Sequence, residues 1–125
     1  MIDKVQGFGG RLEEMDPTGL VAAFGIEPTE DPARLAALAA MAIAKAAERA
    51  RRHENGGAAR ARLALHLQPA LVGAVGGAVV IDAASKAATS ATLQDLLQRA
   101  APEEILVSAA ATPFLERRFE LESAA

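Results

Sequence analysis

Two side chains have the chemistry to act on a ligand. His66 could ligate a metal or act as a general base, but no second histidine stands near it. Its place in the alternating run Arg62-Leu63-Ala64-Leu65-His66 puts it on the polar face of a strand, as a surface or interface histidine. Asp82 closes the apolar run Leu71 to Asp82, a position where functional carboxylates often sit, and it has no assignable partner carboxylate. Gly73, Gly76 and Gly77 imitate a phosphate loop, yet no Lys-Ser/Thr pair follows, so a Walker-type loop is rejected in favour of a bulge or close strand contact. Arg49, Arg51 and Arg52 could hold an acidic partner but read as a solvated helix end, with His53 complementing the dipole there. Arg117 and Arg118 pair with Glu116, Glu120 or Glu122, to little energetic effect.

Composition narrows the classes further. The chain has 125 residues, no cysteine and a formal charge of −3. Disulfides and thiolate metal sites are excluded, and a mild negative charge argues against a nucleic-acid binder that lives by phosphate contacts. Residues Ala70 to Ile81 form the longest strongly apolar stretch, too short to span a bilayer and interrupted by three glycines. The start, MIDKVQGFGG, lacks a signal-peptide core. The expectation is one cytoplasmic domain over residues 1–125 without membrane insertion, or a cytoplasmic piece of a larger protein. Half of the residues are hydrophobic, many of them alanine, so backbones must approach closely.

The elements that must position these groups follow from periodicity. Gly7 to Gly10 mark a turn. Arg11–Met15 and Leu20–Phe24 flank the turn signal Asp16-Pro17-Thr18-Gly19 and predict a β-hairpin. Asp31 as N-cap and Pro32 at the first helical position open a helix that presents Leu35, Leu38, Ala39, Ala42 and Ala46 on one face. Asn55-Gly56-Gly57 stops it. Period-two alternation predicts a strand over Ala61–Leu67, and Leu71–Asp82 a second strand bent at Gly76-Gly77. A helix over Ser90–Ala100, showing Leu93, Leu96, Leu97 and Ala100 to the core, ends at Pro102. A buried strand at Ile105–Val107, a helical turn at Thr112–Arg117 and a last strand around Phe119 and Leu121 complete an α+β order of ββαββαββ, with helices covering a face of the sheet.

Four segments in this order resemble the class III adenylyl/guanylyl (nucleotidyl) cyclase catalytic domain. GFGGRLEEMDPTGLVAAFG, residues 7 to 25, is similar to its Gly-Gly-strand-turn-strand ending in Ala-x-Phe-Gly. EDPARLAALAAMAIAKAAERA, residues 30 to 50, resembles the long helix that follows. RLALHLQPALVGAVGG, residues 62 to 77, resembles a strand pair usually written Arg-Ile-Gly-Ile-His-x-Gly-x-x-x-x-Gly. LQDLLQRAAPEEILVSAAATPFLERRFELE, residues 93 to 122, resembles the late helix, the Pro-x-Glu-Ile-Leu-Val-Ser strand and the closing strand. The resemblance implies a ferredoxin-like cyclase-homology sheet with helices on one face, here lacking the usual first strand.

The resemblance also implies lost catalysis. The family's opening strand carries a metal-binding aspartate, and the chain starts after it. The family's Gly-Asp-Gly turn reads Pro17-Thr18-Gly19, with Thr18 at the second ligand position and Asp16 two residues away. Glu14 stands where the family has a base-selecting lysine, and Ala91 and Asp95 stand where it has transition-state Asn and Arg. Two-metal cyclisation needs those ligands, and developing charge needs those donors. The implied remnant cleft comprises Asp16, Thr18, His66, Asp82, Ala91 and Asp95, with no catalytic residue, metal or cofactor. The expected role is an inactive regulatory, dimerisation or protein-interaction module, a homodimer or a partner to another chain. The alternatives are a small-molecule or nucleotide sensor that uses the cleft, and a half-site partner of an active cyclase. In the family the first strand lies between the hairpin and the strand after the long helix. Without it, another chain must supply a strand, the neighbours must close the gap, or the domain is one part of a larger protein.

Overall fold

The first element was not anticipated. Ile2–Gly7 form a short helix, α1, whose end is set by glycine chemistry in a computed structural model of the chain. Gly9 adopts φ +88°. Its N–H donates to the Gln6 carbonyl at 3.0 Å, and the Gly10 N–H donates to the Val5 carbonyl at 2.9 Å. This pair of bonds is a Schellman closure and satisfies carbonyls that the helix end leaves open. The glycines at residues 7 to 10 therefore end a helix as well as turn the chain. The structure describes residues 2–16, 19–26, 30–53, 62–67, 72–101, 104–117 and 119–121.

The hairpin follows as the alternation predicts. β1 (Arg11–Asp16) pairs antiparallel with β2 (Gly19–Ala23), with a bulge between Leu12 and Glu14. α2 (Pro32–His53) starts after Asp31, which holds φ +48°, a left-handed conformation that aspartate tolerates better than most residues. The Asp31 carboxylate accepts weakly from the Arg34 N–H at 3.4 Å. The helix buries Ala37, Ala39, Ala40 and Ile43, while Ala46 is exposed. That face is rotated from the expected one. Leu35, Leu38 and Ile43 cannot share one narrow stripe, and the side that is buried is set by the elements packed on the helix, α1 among them. The stop signal at Asn55–Gly57 lies outside the described residues.

β3 (Leu63–Leu65) runs parallel to β6 (Ile105–Val107), with Leu63 opposite Ile105 and Leu65 opposite Val107. The stretch read as one bent strand is instead a hairpin, β4 (Val72–Val75) and β5 (Ala78–Ile81). Gly76 and Gly77 take φ +59° and +84°. Two consecutive positive φ values between directly paired strands turn the chain back on itself, and paired glycines reach them without a Cβ penalty. α3 (Ala83–Arg99) begins seven residues before its expected start at Ser90. α4 (Thr112–Leu115) is the single turn read from the sequence. The expected last strand is not found: Phe119 to Leu121 lie outside any strand, and the Phe119 N–H donates to the Leu115 carbonyl at 3.0 Å, a helical bond that prevents ladder formation there. Residues 118 and 122 lie outside the described residues.

The fold is thus mixed α+β, but among the described residues the strands make three two-stranded sheets, β1-β2, β3-β6 and β4-β5. Cross-links join them. The Arg11 guanidinium reaches the Val79 carbonyl at 2.5 Å, and the Lys86 ammonium reaches the Glu13 carbonyl at 3.1 Å, so the first hairpin is tied to β5 and to α3. Leu115, 2% exposed, is the largest fully buried side chain among the described residues. Five of the nine buried apolar residues there are alanines (Ala37, Ala39, Ala40, Ala100 and Ala111), which makes the core thin and its walls shallow.

Candidate functional site

A slot separates β2 from β3. One wall is Gly19 to Ala22 with Phe24, and the other is Arg62 to Leu65. Ala36, Ala39, Ala40, Ile43 and Ala47 of α2 line it, as do Leu93 and Leu97 of α3. Its wide part measures about 860 Å³. A narrower part of about 200 Å³ continues past Val21, Ala22, Ala64 and Leu65 to His66, Lys86, Thr89 and Ser90. Neighbouring side chains of a strand point to opposite faces, so a groove on one face would touch alternate residues. This slot touches consecutive residues of both strands and therefore runs along their edges.

The backbone agrees with that reading. The Leu63 N–H donates to the Glu104 carbonyl at 3.3 Å, and the Ser108 N–H donates to the Leu65 carbonyl at 2.9 Å. Residues 63 and 65 thus direct their peptide groups to β6, and alternation turns those of Ala64 the other way, toward the slot. β2 is bonded to β1, β3 is bonded to β6, and β2 and β3 are not bonded to each other. Of the three outcomes expected for a missing strand, closure by its neighbours is absent among the described residues.

His66 is half-buried and lines the inner slot. Its Nδ1 and the Ser108 hydroxyl share a hydrogen bond of 2.8 Å across the β3–β6 pair. This is a Ser-His contact, but not a nucleophile and its base. Ser108 is buried, does not line the slot, and its Oγ also accepts from the Ala111 N–H at 3.2 Å where the chain turns into α4. The pair fastens β3 to the turn after β6, and the polar-face alternation of the sequence missed it because Ser108 lies forty-two residues away.

Among the described residues of the implied cleft, Asp82, Ala91 and Asp95 do not line the slot. The Asp82 carboxylate caps α3, accepting from the N–H groups of Ala84 at 3.1 Å and Ser85 at 3.3 Å. Ala91 is exposed on α3. Asp95 is exposed and pairs with Arg99 one turn on. Glu14 accepts from the Ser90 hydroxyl at 3.0 Å, which links β1 to α3. Thr18 lies outside the described residues, as does the side chain of Asp16. Among the described residues no cluster of three histidines and carboxylates could hold a metal, and no helix is long and apolar enough to cross a membrane. Of the α2 residues that line the wide part of the slot, the sequence placed only Ala39 on the apolar face, and it assigned none of them to a site. A run of small apolar residues carries no mark that distinguishes a packed face from an open one.

No protein-family model, curated protein or solved structure matches the chain.

Proposed function

We propose that the chain is a degenerate class III nucleotidyl-cyclase-like domain, inactive in catalysis, that serves as a regulatory or protein-interaction module. The observation that carries this reading is the place of the slot. It lies between the second strand of the first hairpin and the strand that follows the long helix. That is where the resembled family has its first strand. The parallel pairing of β3 with β6, with the late helix between them in sequence, is in keeping with the same order. On this reading Glu14 and Asp95 have structural work, one bonding Ser90 and the other Arg99, in place of lysine and arginine chemistry.

A protein-facing role fits the electrostatics better than a nucleotide-facing one. Lys86, the ammonium at the inner slot, is bonded to the Glu13 carbonyl, and Arg11 is paired with Glu13 at 2.7 Å. A triphosphate in the inner slot would have to compete for Lys86. The sensor alternative draws on the polar atoms of His66, Thr89 and Ser90 in the inner slot. The wide part, at about 860 Å³, lies within the roughly 300–1,000 Å³ usual for ligand pockets, and the polar inner part, at about 200 Å³, would take only a small group.

The test is turnover and binding by the purified chain. With ATP or GTP and Mg²⁺ or Mn²⁺, no cyclic product and no thermal stabilisation at millimolar nucleotide are expected. Cyclase activity that disappears in Asp16→Ala or Asp82→Ala would overturn the proposal.

A further inference from the structure

We propose that the inner slot binds a short branched α-hydroxy acid, with its carboxylate on Lys86, its hydroxyl on Thr89 and Ser90, and its apolar body between β2 and β3. This ligand class narrows the small-molecule alternative above, on which it rests, and needs no feature of the resembled family. Its first support is the burial of the walls. Among the described residues that line the inner slot, Ala111 and Leu115 are buried and the others are half-buried, Pro32, Ala33 and Ala36 of α2 included. Apolar side chains packed into a closed core would be buried. Half-buried walls over a buried floor enclose usable space, about 200 Å³ of it.

α3 supplies the polar end. Lys86, Thr89, Ser90 and Leu93 all line the space, and their helical spacing puts them on one face that turns from polar to apolar along it. The half-buried Lys86 ammonium makes one hydrogen bond among the described residues, to the Glu13 carbonyl at 3.1 Å, and pairs with no carboxylate there. An ammonium has further donors beyond that one. The Glu13 carboxylate also lines the space, but the Arg11 guanidinium holds it by bonds of 2.7 and 3.3 Å. Among the described lining residues Lys86 thus carries a charge that no counter-ion balances, and it selects an anion. The Thr89 hydroxyl donates to the Ser85 carbonyl at 2.9 Å, and the Ser90 hydroxyl to the Glu14 carboxylate at 3.0 Å. With their hydrogens committed, both oxygens are left as acceptors and ask for a donor on the ligand. Side chains at these spacings stand about 5–6 Å apart at Cβ, a gap that a carboxylate with a hydroxyl on the next carbon bridges. An amino group in that place would set a second cation against Lys86. At a packing density of ~0.75 the space takes roughly nine or ten non-hydrogen atoms. A hydroxy acid with an isobutyl body is of that size, and Val21, Phe24, Ala36 and Leu93 give the body an apolar wall.

The probe is 2-hydroxy-4-methylpentanoate, titrated into the isotope-labelled full chain. Saturable shifts are expected at the methyl groups of Val21, Leu65 and Leu93 and at the amides of Lys86 to Ser90, with a Kd of about 1 mM or tighter. Lys86→Met keeps the apolar stem but removes the charge, and should weaken binding about tenfold or more with unchanged circular dichroism. If that variant does not fold, three analogues on the wild-type chain still decide. The amide of the same acid keeps the shape without the charge and should bind about tenfold or more weakly. 4-Methylpentanoate lacks the hydroxyl and should bind about threefold to tenfold more weakly. Lactate keeps the head without the branched body and should bind about tenfold or more weakly. The proposal is overturned by the absence of saturable shifts at those residues up to about 10 mM probe, by undiminished binding to folded Lys86→Met, or by equal binding of any of the three analogues. These readouts are independent of turnover. Cyclase activity would remove the inactive-module reading and leave the titration standing, whereas a failed titration removes the hydroxy acid and leaves that reading intact.

Discussion

Asp82 separates a structural role from a chemical one in a single substitution. Its carboxylate accepts two N–H bonds from the first turn of α3, and its carbonyl accepts the Lys86 N–H at 2.9 Å. Replacement by alanine removes the side-chain cap and leaves the carbonyl bond. Loss of an aspartate cap typically costs about 1 kcal/mol, within a range of ~0.5–2. The lost charge adds to this, because the first turn of α3 has no other acidic residue to complement the helix dipole, an effect of ~0.3–1 kcal/mol. Asp82→Ala should therefore cost about 1–2 kcal/mol, and Asp82→Asn, which keeps the cap but not the charge, only the smaller part. At a urea slope of ~2 kcal/mol per molar, the alanine variant should shift the unfolding midpoint down by ~0.5–1 M, followed by circular dichroism at 222 nm. Raising the salt should narrow the gap between the wild-type and asparagine chains, since exposed charge effects are screened. A midpoint within ~0.1 M of wild type for Asp82→Ala would refute the capping argument and return Asp82 to the list of ligand-site carboxylates.

Two further substitutions test the packing around the site. A Cβ at Gly10 would lie 2.6 Å from Phe24 Cζ and 2.8 Å from Val5 Cγ1, so Gly10→Ala should destabilise the chain by about 1–3 kcal/mol by overpacking. Phe24→Leu in the same chain should recover part of the loss, read by the same urea titration. Ser108→Ala removes the 2.8 Å bond to the half-buried His66 and should cost about 0.5–1.5 kcal/mol. If His66 instead worked alone as a surface group, its imidazole proton and nitrogen shifts would not respond to Ser108→Ala, and that result would remove the β3–β6 fastening.

The short-range features were legible because each is decided within a few neighbouring residues. Alternation and a turn signal specified the first hairpin, Pro32 after Asp31 specified the start of the long helix, and Ile105–Val107 emerged with its own boundaries. Where reading failed, two local rules competed or a distant partner decided. Gly76-Gly77 suits a bulge in one strand and a two-residue turn between two, and only the pairing of Val75 with Ala78 selects the turn. Asp82 suits a ligand site and an N-cap, and the helix starting at Ala83 selects the cap. Phe119 and Leu121 alternate correctly, but a strand needs a neighbour, and the Phe119 amide is bonded to Leu115 instead.

By itself the sequence determined the order of most strands and helices and the lack of thiolate chemistry. The tertiary structure decided which edges meet. Backbone donors and acceptors are the same at every residue, so no composition or period reveals that β2 and β3 line a common slot unpaired to each other. That depends on the separation of strands brought together from distant parts of the chain, with an alanine-rich helix along them.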